Sequence, residues 1–136
     1  MSRIVLDTNV VVSGLLSLDG PPSDIIDLLL DNRLRLVVND VILAEYRRVL
    51  TRPELKLDQT KVDALLEFAA RAERVSAEPL PISLPDESDR PFLEVAIAGG
   101  VDALVTGNTR HFRIAGGRLA LAIVTPRQFI DAFAGR

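Results

Sequence analysis

Short runs of aliphatic, mostly β-branched residues alternate along this chain with longer segments of helical spacing, and that alternation constrains the fold more than any other feature. RIVLD (3–7), LRLVVND (34–40), DALVTG (102–107) and a run around LALAIV (119–124) each suit a strand. Between them lie PSDIIDLLLDNR (22–33), opened by Pro22 and Ser23, and VILAEYRRVLTRP (41–53), stopped near Pro53. DQTKVDALLEFAARAERV (58–75) carries Val62, Leu65, Leu66 and Ala69 on one helical face, and FLEVAIAGG (92–100) ends at Gly99 and Gly100. A last helix runs from Thr125 to near Phe133. Alternating β and α order predicts an α/β fold in three layers, a mostly parallel central sheet covered by helices on both faces. With 136 residues, 48% of them hydrophobic, and no internal repeat, one domain spanning 1–136 is expected.

The first apolar run breaks its own rule. In RIVLDTNVVVSGLL (3–16) an aspartate stands between Ile4, Val5, Leu6 and a continuation through Val10, Val11 and Val12. A charge inside a buried strand is costly unless it has a task. In parallel sheets, ligands gather at the carboxyl ends of the strands, which is where Asp7 stands and where Asn108 follows the ALVT strand. The alternative for Asp7 is a helix cap, since aspartate is a preferred N-cap residue and DTN can open a helix.

Two further acids share the anomaly. Glu45 has Val41 and Ile42 before it and Val49 after it at helical spacing, so it falls within or beside an apolar stripe, with a helical ion pair to Arg48 as its alternative. Asp89 heads a stripe formed by Phe92, Leu93, Ala96 and Ile97, with Asp86 and Glu87 just before it; helix-start capping is its alternative. Asp86 and Asp89 compete for one role, and the spacing to the apolar stripe favours Asp89. Both lie in AEPLPISLPDESDRP (77–91), an irregular connection holding four prolines. Gathered carboxylates repel, and an all-oxygen set suits a hard divalent cation, Mg²⁺ or Mn²⁺. Such a centre orients a water for attack on phosphorus and offsets charge on the leaving oxygen.

Composition narrows the alternatives. A single histidine, His111, excludes a two-histidine acid–base nuclease, and the lack of cysteine excludes thiol chemistry and disulfides. His111 stands in a strand-following loop and is expected to be a solvated or hydrogen-bonded surface residue, with a place near the acids as its alternative. No phosphate-binding loop, dinucleotide fingerprint or nucleophile elbow is present. The net charge of −3 becomes neutral once three carboxylates are assigned to a cation. Among the basic residues only Lys56 and Lys61 are lysines, and arginine suits phosphate. The chain lacks an apolar run of roughly 18 residues and a secretion signal, so a cytoplasmic protein without a membrane span is expected.

Four stretches in order, LDTNVVVSGLL, LAEYRRVL, DESDRPFLEVA and LVTGNTRHF, resemble a PIN domain over nearly the whole chain. The likeness is greatest to the VapC-like toxin components of bacterial toxin–antitoxin pairs. The resemblance implies a PIN-like fold, a parallel sheet flanked by helices, and a metal-dependent ribonuclease whose acids hold Mg²⁺ or Mn²⁺. Asp7 matches the first acid of that pattern, Glu45 the second and Asp89 the third. Asn108 stands where many relatives carry a fourth aspartate and others an asparagine, with a catalytic role beside the three acids. The resemblance also implies an RNA substrate and a small antitoxin partner, and is compatible with a homodimer. Thr8, Asn9, Thr106 and Asp86 are candidates for supporting the acids, and Arg110, Arg113 and Arg48 for gripping phosphates. The competing functions are a DNA- or flap-directed nuclease and a non-catalytic partner-binding α/β module. A phosphoacceptor receiver domain is disfavoured, because its acid pair and lysine are not apparent.

Overall fold

Residues 1–112 and 121–134 are described by a computed structural model. Its first strand, β1 (Arg3–Leu6), is apolar on both faces and becomes the centre of a five-stranded sheet. β2 (Arg35–Val38) and β4 (Ala103–Val105) flank it, β3 (Glu73–Arg74) lies outside β2, and β5 (Ile123–Val124) lies outside β4. Every pairing is parallel, with Ile4 opposite both Leu36 and Ala103. The order β3-β2-β1-β4-β5 means that the chain builds outward from β1 on one side and then crosses back to continue on the other. The crossover makes the gap between the carboxyl ends of β1 and β4 the switch point of the sheet, the usual crevice for a ligand in such folds.

Among the described residues the helices are α1 (Thr8–Leu16), α2 (Pro21–Leu30), α3 (Asp40–Leu50), α4 (Gln59–Ala70), α5 (Arg90–Gly99) and α6 (Pro126–Ala134). α5 packs on β1, β2 and β4, α1 on α2, and α6 on α2 and β4. No helix among the described residues is long and apolar enough to cross a membrane. The expected boundaries hold where a cap is visible. Asn39 opens α3 by accepting the Ile42 amide at 2.9 Å, Asp58 opens α4 by accepting from Thr60 at 2.9 Å, and Gly100 closes α5 at φ 57°. Thr125 and Gln128 cap one another at the head of α6.

Two details differ from the sequence reading. Val10–Val12 does not continue the strand; it lies in α1, where Val10 and Val11 are buried and packing outweighs the β preference of valine. Gly14 lets α2 press against this helix, since a Cβ there would stand 2.6 Å from Ile26 Cγ1 and 2.7 Å from the Pro22 carbonyl oxygen. The helix expected over 58–75 stops at Ala70, and Glu73–Arg74 instead pairs with Val37 and Val38 as an edge strand. Its polar residues hide that strand from any apolar pattern, and an ion pair from Arg3 to Glu73 ties its start to β1. Of the run expected as the last strand, 119 and 120 lie outside the described residues.

Candidate active site

Asp7 follows β1 at the switch point. Its amide donates to the Val105 carbonyl at 3.0 Å, and its own carbonyl starts α1 by accepting from Val10 at 3.0 Å. The backbone thus occupies the N-cap position, yet the side chain makes no cap hydrogen bond. The carboxylate, in a residue only 6% exposed, accepts the Thr106 hydroxyl at 2.7 Å. Thr106 is fully buried at the end of β4, and its oxygen also accepts the Asn108 amide at 3.0 Å. Burial pushes the Asp7 carboxyl above the usual range, the Thr106 bond opposes this, and the charges of Asp89 and Glu45 push it further up.

Glu45 reaches the same place from α3. The buried stripe of that helix is Ile42, Leu43, Tyr46 and Leu50, while Val41 is 57% exposed, so Glu45 sits on the margin of the stripe rather than inside it. Its Oε2 accepts from the Thr8 hydroxyl, one residue past Asp7. Its Oε1 lies 3.6 Å from Arg48 Nη2, so the helical ion pair foreseen as an alternative is present as well. An exposed pair of this kind contributes a few tenths of a kcal/mol. Next to Glu45, the buried Tyr46 hydroxyl donates to the Leu6 carbonyl, which fixes α3 against the last residue of β1. Burial raises the Tyr46 pKa, and the charges of Asp7 and Glu45 add to that.

Asp89 stands at the head of α5, 8% exposed, again without a side-chain cap bond. Its Oδ2 lies 2.8 Å from His111 Nδ1. Burial raises its pKa, the His111 contact opposes this, and Asp86 and Glu45 raise it further. Asp86 is exposed and held below the usual carboxylate range by the Ser88 hydroxyl and amide, at 2.7 and 2.9 Å. The segment before these acids is pinned by Arg90. The guanidinium donates to the carbonyls of Leu80 and Ile82 and pairs with Glu87 and Glu94, while Glu94 accepts the Leu80 amide at 2.9 Å.

The fold therefore brings the three acids expected as a set near enough that the charges of Asp89 and Glu45 bear on Asp7, and that of Glu45 on Asp89. Among the described residues, the group whose ligand atoms lie within 4.8 Å of one another is Asp86, Asp89 and His111. Asp7 and Glu45 lie outside that tight group. Asn108 is exposed; its amide binds Thr106 and its carbonyl accepts from the His111 amide at 3.0 Å. Half-buried Asn9 is the acceptor of a long 3.4 Å contact from the Gly107 amide. Arg110 is exposed, Arg48 leans on Glu45, and Arg113 lies outside the described residues. His111 is the hydrogen-bonded histidine that the sequence led one to expect, but its partner is a site carboxylate. The sequence cue to this is its place in the loop after the ALVT strand, and Phe112 beside it is fully buried and anchors the turn.

The donors of Asp7, Glu45 and Asp89 are all carboxylate oxygens, and they fit a hard divalent cation. Each of the raised carboxyls feels the charge of other carboxylates, an imbalance that such a cation would relieve. A groove of about 670 Å³ lined by Met1, Arg35, Phe68 and Glu73 lies at the amino ends of the strands, away from these acids. Asp7 instead follows the carboxyl end of β1, the central strand.

A PIN domain family model matches residues 3–110. An uncharacterized protein of Methanocaldococcus jannaschii, MJ1680, is 26% identical over 143 residues, covering 96% of this chain and 91% of that protein. A chain of the crystal structure of VapBC2 from Rickettsia felis bound to a DNA fragment from their promoter matches with a TM-score of 0.55. It is 21% identical, and the match covers 90% of this chain and 98% of that one. At that identity the likeness is one of fold.

Proposed function

Because the chain belongs to the PIN domain family, we propose that it is a divalent-cation-dependent endoribonuclease and the toxin of a toxin–antitoxin pair. Asp7, Glu45 and Asp89 hold Mg²⁺ or Mn²⁺, and Asn108 assists beside them. The observation that carries this reading is the Asp7 carboxylate. It is buried at the switch point of a parallel sheet, tied to Thr106 rather than used as a helix cap, and pressed by the charges of two other acids.

A bound divalent cation supplies a polarised water for attack on phosphorus and positive charge to offset the leaving oxygen. The chain supplies placement. Thr106 fixes one Asp7 oxygen, Thr8 fixes one Glu45 oxygen, and the Tyr46 bond to Leu6 keeps α3 in register with β1. These contacts hold the oxygens before substrate arrives, so little reorganisation is left for the reaction. Arg110 and Arg48 grip backbone phosphates, and Arg113, outside the described residues, is assigned the same role from the sequence alone. Five phenylalanines and one tyrosine leave few rings for stacking bases, and Tyr46, Phe92 and Phe112 are fully buried or nearly so. Affinity for RNA then rests on its backbone.

The motif resemblance to VapC-like toxins is what supports a small antitoxin as the cognate partner, and a cytoplasmic location and a homodimer of the 136-residue nuclease domain belong to the same reading. The test is cleavage of single-stranded RNA, single-stranded DNA and flap DNA by the purified protein, with EDTA and with Mg²⁺ or Mn²⁺ restored. RNA cleavage that EDTA abolishes and the ion restores is expected. Cleavage that survives exhaustive chelation overturns the mechanism, and preference for DNA or flap substrates overturns the substrate class.

A further inference from the structure

We propose that His111 is the positioning residue for Asp89, its ring holding Oδ2 of that carboxylate so that Oδ1 is left for the cation. This rests on the reading of Asp7, Glu45 and Asp89 as the ligands. An ionised carboxylate can only accept, so Nδ1 carries the proton in the 2.8 Å contact. Oδ1 accepts no hydrogen bond among the described residues. It is not sealed in the core either, since no buried side-chain oxygen there lacks a partner. One oxygen is thus occupied and the other open, the arrangement that a carboxylate ligand needs.

The ring is delivered rigidly. Residues 109–112 form a single 3₁₀ turn in which the His111 amide donates to the Asn108 carbonyl at 3.0 Å and Phe112 is fully buried. That turn follows β4, so its position against the head of α5 is set by the sheet. Asp86 also lies close to the ring, but its Oδ1 is engaged twice by Ser88. The imidazole is therefore directed to Asp89. Groups that orient a ligand in this way change metal affinity when removed, by roughly ten- to a hundredfold.

The experiment is a calorimetric titration of the EDTA-stripped, dialysed protein with Mn²⁺, comparing the parent, His111→Ala, His111→Asn and Asp89→Asn, with melting curves in EDTA for each. Asparagine places an N–H close to where Nδ1 stood. His111→Ala is expected to weaken Mn²⁺ binding about tenfold or more, and His111→Asn to recover most of that loss, with melting curves near the parental one. Mn²⁺ binding that is unchanged in His111→Ala overturns the positioning role while leaving the ligand set intact. Equal loss in His111→Ala and His111→Asn also overturns it, because the ring itself is then what the ion or the fold requires. A parent that binds no Mn²⁺, or binds it as well after Asp89→Asn, overturns the ligand set, and the role of His111 falls with it.

Discussion

The Thr106 hydroxyl donates to Oδ2 of Asp7 at 2.7 Å, across 99 positions of sequence, while its oxygen accepts the Asn108 amide at 3.0 Å. One buried hydroxyl thus joins the ends of β1 and β4 and orders the loop that follows. Thr106→Val keeps the shape but leaves a buried carboxylate oxygen and an amide without their partner. It should lower stability by about 1–3 kcal/mol, and Thr106→Ser by about 1 kcal/mol or less. Urea melts of the two variants check this.

Asp7→Asn keeps an acceptor for Thr106 and removes a charge that burial, Asp89 and Glu45 all disfavour. Folding raises this carboxyl pKa, so its favourable contribution is complete below the unfolded value and is lost as pH rises through the folded value. In EDTA, the parent should therefore lose stability with rising pH across that window, while Asp7→Asn lacks this part of the slope and melts higher at neutral pH. Cleavage should fall roughly a hundredfold or more, equivalent to about 2.7 kcal/mol. Paired melts and cleavage assays from pH 4 upward measure both.

Asp86 and Asp89 differ in surroundings as well as in spacing. Asp86 is exposed and engaged by Ser88, whereas Asp89 is buried against His111. Asp89→Ala should cut turnover by orders of magnitude, and Asp86→Ala by roughly tenfold or less, about 1.4 kcal/mol. A dead Asp86→Ala beside an active Asp89→Ala would exchange their roles.

Arg90 joins the acids to the proline-rich segment, through Leu80, Ile82, Glu87 and Glu94. Lysine cannot reproduce the planar fork that reaches two carbonyls and two carboxylates at once. Arg90→Lys should leave the core folded but speed hydrogen exchange at the Leu80 amide, which is bound to Glu94. Exchange mass spectrometry on peptides covering 76–89 reads this directly. Unchanged exchange would mean that Arg90 is not what holds the segment.

The α/β class, most helix positions and the identity of the unusual acids were legible in the sequence, because each depends on a local pattern. Asp7 interrupts an apolar run, Asp89 heads an apolar stripe, and Gly99 and Gly100 end the helix that starts near Phe92. Local patterns also misled, in α1, where burial turned valines into helix, and in β3, where Glu73 and Arg74 have no apolar signature and are strand only through their pairing with β2. Which groups meet was settled by tertiary structure alone. The placement of β4 beside β1 brings Thr106 to Asp7, and the turn after β4 brings His111 to Asp89, while α3 brings Glu45 to Thr8. Side-chain periodicity encodes the face a residue presents, whereas a hydrogen bond between distant residues depends on strand order and register, which no stretch of the chain carries by itself.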